Sequence, residues 1–440
     1  MEETEFGRPP SGGPSADPGA GMPMPDVREN TASAGAPHRE NAAEPPGKRR
    51  RRKRGRGRRA FIRDPQAPAA APSALPPPEL GEQHNGMQPP DGIHFRRGRS
   101  LQAGPSVYAA LDLGTNNCRL LVAVPTRPGQ FRVIDAFSRI VRLGEGLSAS
   151  GRLSDAAMDR AVEALKVCAD KLALRDMRGH RLIATEACRA AENGAAFLAR
   201  VEAETGLRLE IIDRETEARL AVSGCGSLVE RDTDAVVLFD IGGGSSEIAL
   251  IDVSRRRGPR LASHIVAWTS LPVGVVSLAE RFGGRQVTRE DFGAMIAEVE
   301  RLLGGFAGRE RLGELARGSR FHLLGTSGTV TTLAGVHLGL ARYDRRQVDG
   351  LWMAGSEVDA MIERLLGWEF DERVANPCIG ADRADLVLAG CAILEAIRRV
   401  WPAQRLRVAD RGLREGILSE LMADDGAWRR GRGRRGGWPR

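Results

Sequence analysis

An α/β protein built as two related lobes is what this sequence predicts, on three observations. From about Val107 to Met422, apolar runs of strand length alternate with segments of helical periodicity. One motif occurs twice: "YAALDLGTNNCRLLVAV" around Asp112 and "VVLFDIGGGSSEIALID" around Asp240. Each copy is an apolar strand, an Asp, an apolar residue, a Gly, a small polar turn and a second apolar strand, one hairpin used once per lobe. Finally, residues 1–100 hold 17 of the 25 prolines and almost no apolar periodicity. Such a segment buries too little apolar surface to offset its ordering entropy, so a disordered arm is expected there.

The elements follow in order. "VYAALDL" (Val107–Leu113) is a buried strand, "GTNN" a turn, and "RLLVAV" the returning strand. Ser154 is a good N-cap, and Met158, Val162, Leu165, Ala169 and Leu172 behind it recur at helical spacing. "RLIATEA" (181–187) and "LRLEIID" (207–213) are strand-like, and "ETEARLAVSGC" after them is helical. "AVVLFDI" and "EIALID" flank the glycine turn. Helices begin at Thr288, where Thr288 and Asp291 have capping-box spacing, and at Ser356. "FHLLGTSGTVTTLAG" (Phe321–Gly335) is strand, small-residue turn and helix. The predicted organisation is an arm, 1–104, with a basic run at 48–59; a first lobe, 105–229, onto which the C-terminal helix 412–424 packs back; a second lobe, 230–411; and a basic tail, 425–440.

Charge is concentrated at the ends. "KRRRRKRGRGRR" (Lys48–Arg59) carries ten positive charges and Trp428–Arg440 six arginines, against a net charge of +8 for the whole chain. The folded part is therefore net negative. Basic runs of this kind bind RNA and other polyanions through phosphates, weakly and without sequence specificity, or simply solubilise the chain. The six cysteines form no CxxC and no Cys/His cluster, so neither a zinc site nor a disulfide framework is expected. With no signal-like start and no apolar run of membrane-spanning length, a soluble cytoplasmic protein is expected.

The repeated hairpin has a derivable chemistry. Glycine permits positive φ and has no Cβ, so backbone N–H groups can approach an anion closely. Gly114, Thr115, Asn116 and Asn117 in the first loop, and Gly242, Gly243, Gly244, Ser245 and Ser246 in the second, supply such amides and further donors. Asp112 and Asp240 repel phosphate unless a hard cation stands between, which points to Mg²⁺. A tight turn with a solvated Asp explains one such hairpin; two copies favour phosphate chemistry. A third loop, "GTSGTV", places Gly325, Ser327 and Gly328 at a helix entry, where an anion or a close ligand is favoured.

These residues resemble a family. Paired Asp-x-Gly hairpins look like the actin-like (ribonuclease H-like) superfamily. Within it, "ALDLGTNNCRLLVA", "ATEACRAAENG", "ETEARLAVSG", "FDIGGGSSEIAL", "SLPVGVVSL", "LLGTSGTVTTLA" and "DRGLREGIL" closely resemble the exopolyphosphatase and guanosine pentaphosphate phosphohydrolase family, over essentially all of Val107–Met422. The resemblance implies Mg²⁺-dependent hydrolysis of a terminal phosphoanhydride in a cleft between the lobes, on polyphosphate or pppGpp. It implies Glu217 as the catalytic glutamate, Arg189 as a phosphate-facing arginine, with Arg139 a weaker candidate, and Glu247 as an acid that helps hold the metal alongside Asp112 and Asp240. Family members more often have Ser-Asn-Ser where this chain has Thr115, Asn116 and Asn117. Longer members continue into a helical C-terminal domain where this chain has an arginine-rich tail, which implies a short form without processive action on long polymers. A homodimer is also implied. Two rivals keep the same phosphate loops: an actin-like ATPase or small-molecule kinase, and a non-catalytic polyanion- or RNA-associated regulator.

Overall fold

The computed structural model describes residues 106–255, 258 and 260–428. The predicted disordered arm, its basic run and the arginines of the basic tail lie outside them.

Two sheets carry the architecture, and they share a wiring plan. In the first, β1 (Val107–Leu113), β2 (Asn117–Pro125) and β3 (Phe131–Ile140) form an antiparallel meander; β4 (Met177–Ala184) and the short β5 (Glu210–Ile211) then add in parallel on the other side of β1. In the second, β6 (Ala235–Ile241), β7 (Ser246–Asp252) and β8 (Ile265–Leu271) form the same meander. β9 (Phe321–Thr326) and β11 (Arg405–Val408) add in parallel beside β6, and β10 (Trp352–Ala354) closes that edge antiparallel. The predicted strand 207–213 shrinks to two residues, and 181–187 splits into the end of β4 and a short helix, Glu186–Ala190.

The strands are nearly continuous apolar runs because helices cover both faces. One face of the first sheet buries Leu111, Leu120 and Val122 against the helix Asp155–Ala173, whose N-cap Ser154 accepts from the Ala157 amide. Its other face buries Tyr108, Ala110 and Leu121 against Leu220, Ile417 and Met422.

Those last residues come from the two helices that shape the site. The helix Arg214–Cys225 is a wedge: Leu220 faces the first sheet, while Ala221, Val222 and Cys225 pack with Val236, Leu238 and Ala249 of the second. The helix Leu413–Asp424 crosses it at backbone contact. A Cβ on Gly224 would lie 2.0 Å from the Gly412 carbonyl oxygen, and one on Gly416 would lie 2.0 Å from that of Leu220. Only glycine permits this crossing.

All six cysteines are buried and free. Among the described residues, no helix is long and apolar enough to cross a membrane.

Candidate active site

A cavity of about 520 Å³ opens between the sheets. Both Asp-x-Gly loops, the start of the wedge helix, the entry to the helix Ser327–His337 and the start of the C-terminal helix line it.

The two hairpins have identical register. Asp112 stands directly opposite Arg119, and Asp240 directly opposite Glu247. Residues paired in this way project to the same face of the sheet. Both aspartates are partly open to the cavity, and burial is the largest cause holding each above the ordinary carboxylate range. Arg119 and Arg414 pull both in the opposite direction. Glu247 is only 3% exposed; its Oε1 accepts from Ser245 Oγ (2.7 Å) and Ser270 Oγ (2.9 Å). Burial, then the Asp240 charge, push its carboxyl up to about 7.

The loop glycines are required for a different reason from the one the sequence suggests. None of Gly114, Gly242, Gly243 and Gly244 has left-handed backbone. What they provide is room. A Cβ on Gly243 would lie 2.9 Å from Thr115 Cβ, and one on Gly244 would lie 2.9 Å from Thr115 Oγ1. The second loop packs onto the first, and Gly243 also accepts from the Val276 amide with its carbonyl. Left-handed backbone at a non-glycine occurs instead at Ser327 (φ 74°), where β9 turns into its helix beside Asp240, and at Arg142 (φ 46°). Left-handed backbone at a non-glycine costs of the order of 1–3 kcal/mol and marks functional turns.

Glu217 enters from the first turn of the wedge helix, whose N-cap Asp213 accepts from the Thr216 amide (2.7 Å). Its side chain is 12% exposed and lines the cavity. Burial, then the nearby Glu247, push its carboxyl well above the ordinary value. Arg189 acts the other way, donating from Nη2 to Glu217 Oε2 (3.0 Å). The same guanidinium is tied to Glu186 Oε2 and, through Nη1, to the Ile212 carbonyl. Arg214 also bonds Glu186. Glu186, absent from the sequence-based candidates, is thus the shared anchor of two arginines. Glu215, one position from the matching residue, is exposed.

Most predicted residues come together in the cavity wall: Asp112, Gly114, Thr115, Asn116, Asn117, Glu217, Asp240, Gly242, Gly243, Ser245, Glu247, Ser327 and Gly328. Others do not. Gly325 is a packing glycine inside β9, where a Cβ would meet the Phe239 ring at 2.5 Å. The Ser246 hydroxyl is buried and donates to the Val273 carbonyl (2.8 Å). Gly244 serves the contact between the loops. Arg189 reaches the site through Glu217 rather than by lining the cavity. Arg139 is exposed on β3, stacked over Phe137.

Four further arginines line the cavity: Arg119, Arg383, Arg414 and Arg411, the last of them paired with Asp349. Arg119 had a signal in the sequence. It lies seven residues after Asp112, as Glu247 lies seven after Asp240. Arg411 and Arg414 stand in the quoted "DRGLREGIL" without having been singled out, and Arg383 had no signal. Across the rim, Arg142 makes a bidentate pair with Asp385 (2.8 and 3.0 Å), and Glu280 accepts from the Gly146 amide and Ser148 hydroxyl.

Two meanders of one wiring plan, with paired Asp-x-Gly loops facing one cavity, define the actin-like class of phosphate-handling folds. A model of the Ppx/GppA phosphatase family matches residues 122–424, and the chain belongs to that family of hydrolases. It is similar to exopolyphosphatase 2 of Mycobacterium tuberculosis, 28% identical over 330 residues that cover 71% of this chain and 98% of the relative. The crystal structure of an exopolyphosphatase-like protein aligns with TM-score 0.64 at 26% identity, over 72% of this chain and 98% of that one. The Aquifex aeolicus member of the Ppx/GppA family aligns with TM-score 0.58 at 26% identity, over 73% and 98%.

Proposed function

We propose that this chain releases orthophosphate from the end of inorganic polyphosphate, with Mg²⁺. The observation that carries the reading is the charge pattern of the matched hairpins. One cavity wall presents Asp240 and Glu247, and the facing one presents Asp112 with Arg119. A phosphoanhydride with its counter-cation needs both kinds of wall.

The donors fit a hard cation. They are carboxylates, joined by the Oδ1 atoms of Asn116 and Asn117, which are buried and accept no hydrogen bond among the described residues. No group of three or more His, Cys, Asp or Glu residues converges as a cage among the described residues. That suits Mg²⁺, which takes one or two carboxylates and completes its shell with water and phosphate. Asp112 and Asp240, with Glu247 behind them, would hold the ion. When bound, it neutralises charge on the bridging phosphate oxygens.

The chain's own groups do the rest. Loop amides and Arg119 face the phosphate oxygens, and a guanidinium holds such oxygens in a planar fork. Glu217 orients a water and takes its proton; its raised proton affinity makes it the stronger base toward water. Arg189, fixed by Glu186, holds the Glu217 carboxylate in place. Direct in-line attack needs no covalent intermediate.

A second substrate, pppGpp, is favoured by one feature. Beyond the charged residues the cavity has an apolar side formed by Pro377, Ile379, Leu386 and Val387, beside Tyr343. A bare polyanion gains nothing there, whereas a nucleoside does.

The test is phosphate release from short polyphosphate, long polyphosphate, pppGpp and ATP, by wild type and Glu217→Gln. The expected loss in the variant is about 10²–10⁴-fold, with substrate binding retained. Full activity in the variant overturns the assigned base. Release from pppGpp alone moves the substrate to the nucleotide, and release from ATP alone supports the ATPase rival. We also propose that the basic runs gather polyanionic substrate; removing residues 1–104 should then raise KM for long chains and leave short ones unchanged.

A further inference from the structure

We propose that Arg383 binds a phosphate of the substrate, and that Arg142, reaching across the rim, is the residue that positions it there. The inference rests on the phosphoanhydride reading above and gives that reading a cation on the wall whose hairpin has none.

The two hairpins differ in what they bring. Arg119 stands opposite Asp112, so the first carries its own positive charge. The second pairs Asp240 with Glu247 and brings two acids. A phosphate chain in the cavity meets both loops, because they are packed together: a Cβ on Gly243 would sit 3.2 Å from the Asn116 amide nitrogen. An arginine for the second wall has to come from elsewhere in the chain.

Arg383 has that position. β6 and β9 run side by side, with Asp240 paired to Thr326. The chain turns there, and Gly328 follows two residues on. A Cβ on Gly328 would lie 4.0 Å from Arg383 Nη1, an ordinary contact distance. The guanidinium therefore stands over the turn next to Asp240, in the cavity wall.

It is also unengaged: among the described residues it makes no hydrogen bond or ion pair. Asp385, two residues on, is bound elsewhere, with both carboxylate oxygens accepting from Arg142. Asp382, the residue before, is exposed and gives its carbonyl to Arg142 (3.0 Å). The planar fork of Arg383 is left for a ligand, and phosphate oxygens fit it bidentately.

Arg142 belongs to the first phosphate loop as well as to the rim. Its amide donates to the Asn116 carbonyl (3.1 Å), and its own carbonyl accepts from Arg160 Nη2 (3.3 Å). Held on both sides, it keeps a left-handed φ of 46°, a conformation that persists at a non-glycine only where the surroundings enforce it. From there its guanidinium grips the chain on either side of Arg383, at the Asp382 carbonyl and at the Asp385 carboxylate (2.8 and 3.0 Å). One side chain thus ties the first phosphate loop to the segment that carries the second wall's arginine.

The experiment measures phosphate release by the full chain with Mg²⁺, on sodium tripolyphosphate and on pppGpp, with pppGpp read as a competing ligand if it is not cleaved. It compares wild type, Arg383→Met, Arg142→Met and the double variant. Arg383→Met should raise KM, or Ki for a competing pppGpp, about ten- to a hundredfold on both, with kcat within threefold. It should melt with wild type, because it has no partner to lose. Arg383→Lys keeps the charge without the fork and should fall between the two. Arg142→Met should raise KM about three- to tenfold. The double variant should match Arg383→Met within twofold, since a residue that acts through another adds nothing once that one is gone.

A wild-type KM in Arg383→Met overturns the proposal. So does a rise confined to pppGpp, which would put Arg383 against the nucleoside. A double variant whose KM rise is the product of the two single rises overturns the positioning role of Arg142. If Arg142→Met does not fold, Asp385→Asn takes its place in the cycle under the same criterion. Failure of wild type to release phosphate from either substrate would instead overturn the phosphoanhydride reading, and this inference with it.

Discussion

Asp112 faces Arg119 across the first hairpin, and Asp240 faces Glu247 across the second. The strands, turns and registers of the two hairpins match, and so does the seven-residue offset. The charge at the second position is opposite. Equivalent backbones thus present an anion-seeking wall on one side of the cavity and a cation-seeking wall on the other. Geometry is shared between the halves, and under the proposed function one side chain per half divides the chemical labour.

The largest effect should come from the aspartates, and it should be unequal. Asp240→Asn leaves one carboxylate opposite a neutral amide, and kcat/KM should fall about 10²–10³-fold. Asp112 stands directly opposite an arginine where Asp240 stands opposite a glutamate, so Asp112→Asn should cost several-fold less. Equal losses in steady-state assays would break the proposed division.

Next come the residues opposite. Glu247→Gln should raise the Mg²⁺ concentration needed for half-maximal rate about 10–100-fold and leave KM for substrate nearly unchanged. Arg119→Gln should do the reverse, raising KM about tenfold or more at saturating Mg²⁺. Crossed titrations of metal and substrate read both at once. If the two variants shift the same parameter, the hairpins are not specialised.

A smaller effect is expected where the halves meet at the rim. Asp385→Asn breaks the bidentate pair with Arg142, whose side chains are 25% and 30% exposed. A partly exposed pair is worth about 0.5–1 kcal/mol. KM should change about two- to fivefold, equally for both substrate classes.

The smallest effect on rate serves as a control away from both hairpins. His322 is buried edge-on against Trp352, and its Nε2 has no partner among the described residues. Burial, with Arg405 and Arg407 adding to it, pushes its pKa down to about 4. A depressed imidazole contributes stability above its ordinary pKa near 6.5 and loses it as pH falls toward 4, on the order of 2–3 kcal/mol. His322→Phe should flatten that part of the melting-point profile without altering rate at pH 7.5. An unchanged acid slope would place the sensitivity in the cavity carboxylates instead.

The hairpins were legible in the sequence because their determinants are local: apolar strand runs and turn composition fix where Asp112 and Asp240 stand, whereas Glu217 was legible through the family resemblance. Ser154 and Thr288 as caps were legible because their signals are local as well. What was not legible depends on contacts distant along the chain. Gly325 looks like a phosphate-loop glycine until the Phe239 ring is seen against it. Arg139 and Arg119 lie on adjacent strands, and only the pairing shows which one faces the cavity. Arg414 stands in the quoted "DRGLREGIL", but a crossing of two helices far apart in sequence sets its place at the cavity, and the motif alone does not show that.

That crossing also bears on timing during synthesis. Asp112, Glu217 and Asp240 are all translated long before Gly412, Arg414 and Gly416. Domains form largely as they emerge, so both sheets can be built while the floor of the cavity is still missing. The last helix then completes the site in one docking step against backbone that only glycine leaves open. A chain still on the ribosome can therefore be folded in most of its parts and remain silent as a phosphatase until its final helix arrives.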